Sequence, residues 1–191
     1  MFPVEEFHDS LRRVTSVLNR LSVRFHLTGG AALVAYSEPR MTQDINIVLD
    51  PNQLLPQIDR FAIEIGCERF MFEEPAIRTA VKNRKRIQLL DLDRILKLDF
   101  YPRELIPGEL DRTVQLPVFA GGLFPVVALR DLISSKLVWI SRGSGKSRTD
   151  LRWLWRLSSE PDREEIRRYA QQHQIELLLD EVLLESDEIA E

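Results

Sequence analysis

The chain has 191 residues, of which 44% are hydrophobic and 29% charged, and its formal net charge at pH 7 is −4. This balance is typical of a soluble globular protein with one domain, or with one domain and a small appendage. No apolar run approaches the ~20 residues that cross a bilayer, and the first ten residues are acidic, unlike a signal peptide. The single cysteine, Cys67, excludes an internal disulfide and fits a reducing compartment. From these features together we expect a cytoplasmic protein with no membrane partner.

Charge is distributed unevenly along the chain. Residues 160–191 contain eleven acidic and three basic residues, whereas residues 1–159 contain 19 acidic and 23 basic ones. The mildly basic body is compatible with a polyanionic partner, such as a nucleotide or RNA. The acidic end is equally compatible with a solvated helical face.

The first predicted elements are a helix, a strand and a second helix. Apolar residues that recur at steps of four and three predict an amphipathic helix over residues 7–21. A short strand is predicted over 23–27. It leads into the turn Thr28-Gly29-Gly30, which is followed by a helix over 31–36 that Glu38-Pro39-Arg40 ends.

The middle of the chain is predicted to add strands around one helix. Alternating polar and apolar residues indicate a strand over 44–49. Asp50 is a suitable N-cap, and Pro51 a suitable first residue, for one helix through the apolar residues that follow. Two further strands are predicted over 87–92 and 95–101, with a tight turn between them.

The last strands and the C-terminal helices complete the predicted organisation. Gly121-Gly122 predicts a hairpin between strands over 113–120 and 123–127. Helices are predicted over 129–141, 148–158, 161–172 and 174–185. The predicted fold class is therefore α+β, with an α/β core over residues 1–127 and a helical part over 128–191 packed on it.

A candidate site combines the glycine pair with polar residues on two strands. Two glycines at a strand-to-helix turn let a ligand approach the backbone, and a helix N-terminus favours phosphate. Asp44 and Asn46 share one face of their strand, about 6.6 Å apart. Asp99 lies mid-strand between apolar residues, where a carboxylate is costly unless it is paired or binds a metal. Carboxylates that hold Mg²⁺ against a triphosphate, and accept a proton from the attacking hydroxyl, suit phosphoryl-type transfer.

These residues resemble the motif of the nucleotidyltransferase superfamily, whose members share a fold with DNA polymerase β. The family pattern is Gly-Gly or Gly-Ser, then Asp-x-Asp or Asp-x-Glu between apolar residues, and a third Asp on a following strand. The matching positions here are Gly29, Gly30, Asp44, Asn46 and Asp99. The resemblance implies a mixed or antiparallel sheet flanked by helices.

Within that superfamily the chain is most similar to small bacterial proteins related to the AbiE-type abortive-infection toxins. These carry a helical Asp-Leu-Ile-x-x-Lys-Leu-x-Trp segment followed by Arg-x-Asp. Residues 131–139 match the first segment, with Lys136 as its lysine, and Arg148 and Asp150 match the second. The resemblance implies that Lys136 acts in catalysis by contacting the nucleotide phosphates, with Asp150 near it on the next helix and Arg148 in the same nucleotide-binding region.

The activity that the resemblance implies is Mg²⁺-dependent transfer of a nucleotidyl group from an NTP to a hydroxyl of RNA, of tRNA, of a protein or of a small molecule. Asp44 and Asp99 would be the principal metal ligands, with Asp99 the base. The family has a carboxylate where this chain has Asn46, which would serve as an auxiliary ligand. The chain is therefore either an enzyme with a poorer metal site or a catalytically silent protein that binds nucleotide or a partner protein. A toxin-like role, with an antitoxin-like partner, would be a biological role of the enzyme.

Three further features of the sequence suggest a binding surface or a core position. The basic residues of segment 78–86 either follow an RNA backbone or the acceptor end of a tRNA, or form an exposed loop. Arg148, Arg152 and Arg156 share one helix face, which with Lys136 would line a triphosphate-binding cleft. Core positions are predicted for Trp139, Trp153, Trp155, His26 and Cys67.

Overall fold

The computed structural model describes residues 4–36, 44–118 and 121–186. Contacts between residues divide the chain into two compact units, Met1–Val127 and Ala128–Glu191. The described part of the first unit contains a sheet and helices, and that of the second contains helices. The predicted α+β class is confirmed.

The elements of the first unit are, in chain order, α1 (Val4–Arg20), β1 (Phe25–Thr28), α2 (Gly29–Tyr36), β2 (Asp44–Leu49), α3 (Pro51–Leu54), a 3₁₀ turn (Leu55–Gln57), α4 (Ile58–Cys67), β3 (Phe70–Met71), α5 (Glu74–Lys82), β4 (Ile87–Asp91), β5 (Leu96–Tyr101), β6 (Val114–Val118) and β7 (Gly121–Val126). Those of the second unit are α6 (Leu129–Ser141), α7 (Lys146–Leu157), α8 (Glu160–Gln172) and α9 (Glu176–Leu184). The predicted break at Glu38-Pro39-Arg40 lies outside the described residues.

Seven strands of the described residues form one mixed sheet in the order β3-β4-β5-β2-β1-β7-β6. β2 is parallel to β5 and β1 is parallel to β7, whereas the other neighbours are antiparallel. Because β5, β2 and β1 lie side by side in the middle of the sheet, their side chains have neighbours on both sides. The polar residues of the candidate site lie on these three strands.

The N-terminal helix packs through the apolar stripe that its sequence predicts. Leu11, Val14 and Leu18 are fully buried on α1. In the sheet, Ile45 and Ile47 are fully buried and alternate with the polar residues of β2. Burial of each such side chain stabilises the fold by roughly 1.5–3 kcal/mol, so these alternations determine which face of β2 is left for polar residues.

The helix predicted after Asp50 is interrupted. The Asp50 side chain accepts a hydrogen bond from the backbone N–H of Asn52 at 2.9 Å and caps α3, with Pro51 as the first helical residue. A 3₁₀ turn follows before α4 begins at Ile58. Pro56 lies in that turn. Since proline has no N–H to donate, it cannot continue an α-helical hydrogen-bond ladder, and the prediction of one continuous helix is wrong.

Both predicted pairs of strands are observed, the first with its predicted tight turn and the second with a shifted strand boundary. β4 and β5 pair in antiparallel fashion, and the chain reverses over residues 92–95, where Ile95 adopts φ 56°. β6 pairs with β7, but Gly121 and Gly122 are the first residues of β7 instead of forming the turn. The connecting residues 119–120 lie outside the described residues.

One helix of the first unit was not predicted. α5 includes Arg78 and Lys82, so part of the basic segment 78–86 is helical and only its end forms a loop. Ile77 and Val81 are the buried positions among its apolar residues, a pattern too short to reveal a period of 3.6 residues. Cys67, at the end of α4, is exposed, so its predicted burial is wrong.

The helices of the second unit begin and end within two residues of their predicted bounds. The prediction that its tryptophans are core residues is wrong for Trp139 and Trp153, which are exposed. Each lies beneath an arginine, with Arg142 5.4 Å from the Trp139 ring centre and Arg156 5.3 Å from that of Trp153. Within the described ranges, no helix combines the length and apolar character that crossing a bilayer requires.

Candidate functional site

Three adjacent strands bring the predicted site residues of the sheet into register. Asn46 on β2 is the direct partner of Asp99 on β5 on one side and of Thr28 on β1 on the other. Asp44, two residues before Asn46, pairs with Lys97. Because paired residues and residues two apart share a face of a sheet, the carboxylates of Asp44 and Asp99 lie on the same face as the Asn46 amide.

Asn46 is held between a tyrosine and the glycine turn. The Tyr101 hydroxyl donates a hydrogen bond to Asn46 Oδ1 at 3.3 Å. On the other side, a Cβ at Gly29 would lie 2.9 Å from Asn46 Nδ2, and Gly29 has φ +64°. Only glycine combines this backbone conformation with so close an approach. The Asn46 amide therefore lies directly against the start of α2, where a helix N-terminus attracts anions.

Asp99 is buried, and one of its carboxylate oxygens contacts two cationic side chains. Its side chain is 3% exposed, and Oδ2 lies 3.1 Å from Lys97 Nζ and 3.3 Å from Arg86 Nη1. Its other oxygen, Oδ1, is buried and has no hydrogen-bond partner in the part of the chain that the structure describes. A buried carboxylate oxygen without a partner is costly, which makes Oδ1 a candidate ligand for a cation.

The pKa of Tyr101 depends on the charged groups of this face. Burial raises the pKa of the Tyr101 phenol, and the negative charges of Asp99 and Asp44 raise it further, while Arg86 opposes them. The phenol therefore stays protonated at neutral pH and remains a hydrogen-bond donor to Asn46. The carboxylates of Asp99 and Asp44 are thus both close enough to Tyr101 to raise its pKa.

Two residues of the site were overlooked in the sequence, and a third was assigned differently. Lys97 and Tyr101 occupy β5 two residues before and after Asp99, so the period of two could have placed them on the Asp99 face. Arg86 was noted only as part of the basic segment 78–86. Its contact with Asp99 depends on the pairing of β4 with β5, which the local sequence does not reveal.

The donors on this face are few for a metal site. Within residues 4–36, 44–118 and 121–186, no three His, Cys, Asp or Glu side chains lie close enough together to hold a metal ion. Asn46, which pairs with Asp99 and lies two residues after Asp44, contributes a neutral oxygen. Among the described residues, this face offers a cation two carboxylates and one amide oxygen.

The remaining predicted site residues lie in the second unit. Lys136 Nζ donates to Asp150 Oδ2 at 2.7 Å, and both side chains are buried. Arg148 Nε donates to Glu185 Oε1 at 2.5 Å, and a second nitrogen of Arg148 contacts Glu181. These cationic groups are thus paired with carboxylates of their own unit.

The acidic C-terminal residues neutralise part of the predicted basic face. Arg152 Nη1 donates to Glu185 Oε2 at 2.5 Å, so Glu185 lies between Arg148 and Arg152. Hydrogen bonding to Arg148 lowers the pKa of Glu185 from its usual value. The acidic end of the chain is thus a partner of α7 as well as a solvated face, while Arg156 stacks on Trp153.

His26 precedes Thr28 on β1 and is fully buried, as predicted for a core residue. Its Nδ1 lies 3.1 Å from the carbonyl oxygen of Leu27, and its Nε2 lies 3.8 Å from Glu109 Oε2. Burial lowers the pKa of His26 from 6.5 to about 4. The imidazole is therefore neutral in the folded protein at neutral pH.

The lowered pKa of His26 predicts a pH dependence of stability. Unfolded His26 takes up a proton below pH 6.5 while the folded protein does so only near pH 4, so the free energy of unfolding should fall as the pH decreases across this window. At about 1.4 kcal/mol per unit, the loss is about 3 kcal/mol. Urea denaturation at pH 7, 6, 5 and 4 measures it. His26→Gln should flatten this slope, whereas the exposed His173→Gln should leave it unchanged; equal slopes in all three proteins would contradict the prediction.

The fold is similar to that of solved nucleotidyltransferases. The solution structure of the antibiotic-resistance factor ANT(2'')-Ia matches with a TM-score of 0.61 and 13% identity over 90% of this chain and 94% of that one. A crystal structure of ANT(2")-Ia with adenylyl-2"-tobramycin matches with a TM-score of 0.59 and 10% identity, over 86% and 97% of the two chains. A nucleotidyltransferase-like protein from Paracoccidioides brasiliensis matches with a TM-score of 0.51 and 15% identity, over 90% and 91%.

A comparison with protein-family models gave no match, and neither did a comparison with curated protein sequences. The similarity to solved structures nevertheless identifies the nucleotidyltransferase fold and confirms that part of the prediction. The likeness to the AbiE-type group stays a prediction.

Proposed function

We propose that this chain, which has the nucleotidyltransferase fold, transfers a nucleotidyl group from an NTP to a hydroxyl group. One observation carries the proposal: Asp99 and Asn46 are paired on adjacent strands, Asp44 lies on the same face, and Gly29 begins α2 against Asn46. This arrangement puts carboxylates next to a helix N-terminus, where the phosphates of a nucleotide would bind. Charge that develops on the phosphates during transfer would then be stabilised from two directions.

Together with the phosphates of a bound nucleotide, the donor set would hold one divalent cation, such as Mg²⁺. Asp44 and Asp99 would supply carboxylate oxygens, which Mg²⁺ prefers, and Asn46 a neutral oxygen. When bound, Mg²⁺ would neutralise charge on the triphosphate. Asp99 would accept the proton of the attacking hydroxyl, and Gly29 and Gly30 would present their backbone to the phosphates.

Lys136, Arg148 and Asp150 are proposed nucleotide contacts because of the motif they match. In the structure Lys136 is bound to Asp150, and Arg148 to two glutamates. A phosphate that approached Lys136 or Arg148 would therefore compete with carboxylates, and Asp150 would orient the amine of Lys136. This favours a positioning role for Asp150.

The acceptor is proposed from two sources. The solved ANT(2")-Ia complex contains adenylyl-2"-tobramycin, so a small molecule with a hydroxyl group is one proposed acceptor. RNA or tRNA is another, because Lys82, Arg84 and Lys85 are exposed near the start of β4. The likeness to AbiE-type proteins adds the proposal of a toxin-like role in a bacterial cytoplasm, with an antitoxin-like protein as partner.

Transfer of radioactive label from an NTP tests the proposed function. The protein is incubated with each NTP, with Mg²⁺ or Mn²⁺, and with total RNA, total protein or a set of hydroxylated small molecules. Nucleotidyl transfer moves a label on the α-phosphate to the acceptor and leaves a label on the γ-phosphate in pyrophosphate. Absence of α-label transfer under all these conditions, with protein shown to be folded, would overturn the proposal.

A second candidate function is nucleotide or partner binding without chemistry. Asn46 favours it, because asparagine lacks the negative charge of the carboxylate that the resemblance implies at this position. The presence of two cations on Asp99 favours it as well, since they reduce the attraction of Asp99 for a metal.

The substitution Asn46→Asp discriminates between the two candidates. Aspartate has the size of asparagine, fits below Gly29 and can still accept the hydrogen bond from Tyr101. One added charge next to a divalent ion should tighten Mn²⁺ binding at least about tenfold, as measured by electron paramagnetic resonance. If the wild-type protein transfers no label and Asn46→Asp does, the natural chain is silent; if the wild-type protein already transfers label, the silent candidate fails.

A further inference from the structure

The cations on Asp99 are themselves open to a ligand. The side chains of Lys97 and Arg86 are 39% and 53% exposed, whereas that of Asp99 is 3% exposed. Asp99 therefore neutralises the two cations from beneath while their outer surfaces face solvent. Two exposed cationic groups are thus held 3.1 and 3.3 Å from one buried oxygen, an arrangement that suits the binding of an anion from solvent.

Among the described residues of this face, positive and negative charges balance. Asp44 and Asp99 contribute two negative charges, Lys97 and Arg86 contribute two positive charges, and Asn46 is neutral. A divalent cation alone gains little from a neutral site, because carboxylates must outweigh the loss of its hydration. A polyphosphate, in contrast, finds two cations and a helix N-terminus on the same side of the sheet.

The two oxygens of Asp99 have different surroundings. Oδ2 contacts both cations, whereas Oδ1 is buried without a hydrogen-bond partner among the described residues. Asp99 can thus keep Lys97 and Arg86 in place with one oxygen and offer the other to a cation.

We propose that Lys97 and Arg86 bind the phosphates of the nucleotide, so that the nucleotide binds without a divalent cation and a cation enters only together with the phosphates. This inference rests on the proposed function, because it assigns the phosphate-binding residues of the same site. Lys97 and Arg86 would then neutralise the phosphate charge that a second metal ion would neutralise in a more acidic site.

Isothermal titration calorimetry with ATP, in buffer that contains EDTA, tests the inference. The wild-type protein should bind ATP, and inorganic tripolyphosphate should compete with it. Lys97→Gln and Arg86→Gln should each weaken ATP binding about tenfold, because each removes a charge-assisted hydrogen bond. Arg60→Gln is the matched control: it removes the same charge from an exposed arginine of α4 that pairs with Glu64, and its ATP binding should equal that of the wild-type protein.

A second measurement keeps the test valid if either variant is less stable. Mn²⁺ alone should bind weakly to the wild-type protein by electron paramagnetic resonance, and ATP should increase the bound fraction. The inference is overturned if ATP binds only in the presence of metal and Lys97→Gln and Arg86→Gln behave like Arg60→Gln, an outcome that leaves the proposed function standing. If ATP and the other NTPs do not bind with or without metal, the proposed function fails together with it.

Discussion

Replacing Asp99 with asparagine is expected to reduce nucleotidyl transfer by roughly a thousandfold, the scale on which removal of a preorganised electrostatic group affects catalysis. The change removes the charge that would hold a cation and accept the proton of the attacking hydroxyl. It also leaves Lys97 and Arg86 without their shared anion. Asp44→Asn should have a similar effect on transfer, because it removes the second carboxylate of the same face.

The measurement is the initial rate of α-label transfer at saturating NTP, together with thermal unfolding of each variant. Asp93→Asn is the matched control. Asp93 lies in the turn between β4 and β5, and its carboxylate pairs with Arg69 at the surface. Its rate should equal that of the wild-type protein. If Asp99→Asn transfers label as fast as Asp93→Asn, the chemistry does not take place on this face of the sheet.

Replacing Lys136 with methionine is expected to destabilise the protein by about 3–5 kcal/mol, the cost of removing one member of a buried ion pair. Lys136 and Asp150 are 7% and 4% exposed, so water cannot compensate for the lost ammonium group. Methionine keeps the length and apolar character of the lysine side chain, which restricts the change to its charge. Urea denaturation measures the change in the free energy of unfolding.

Two further variants show whether the lost stability comes from the Lys136–Asp150 ion pair. Lys146→Met changes an exposed lysine at the start of α7 and should alter stability by less than about 0.5 kcal/mol. Lys136→Met combined with Asp150→Leu removes both charges and should regain a large part of the lost stability. If Lys136→Met is as stable as Lys146→Met, the ion pair contributes nothing; if the double variant folds and still transfers label, Lys136 is not a catalytic residue.

Sequence patterns were sufficient for the elements that carry long periodic stretches. The apolar stripe of α1, the alternation of β2 and the four C-terminal helices were all predicted within a few residues, because local side-chain spacing alone determines which face each segment buries. α5 and β3 were not predicted, since each is short and buries few side chains. Pro56 interrupted a predicted helix through the loss of one backbone donor, which an apolar periodicity does not record.

The same distinction applies to the candidate site. Asp44 and Asn46 share a face because they are two residues apart on one strand, and the turn at Gly29 follows from its glycine pair; both properties are local and could be derived from the order of residues. The ion pairs of Asp99 with Arg86 and of Arg148 with Glu185 depend on strand register and helix packing, and so does the burial of His26. Such partners lie far apart in the chain, so no local pattern encodes them. Their distances and burial, and hence the charge of the site, arise only when the strands and helices have assembled.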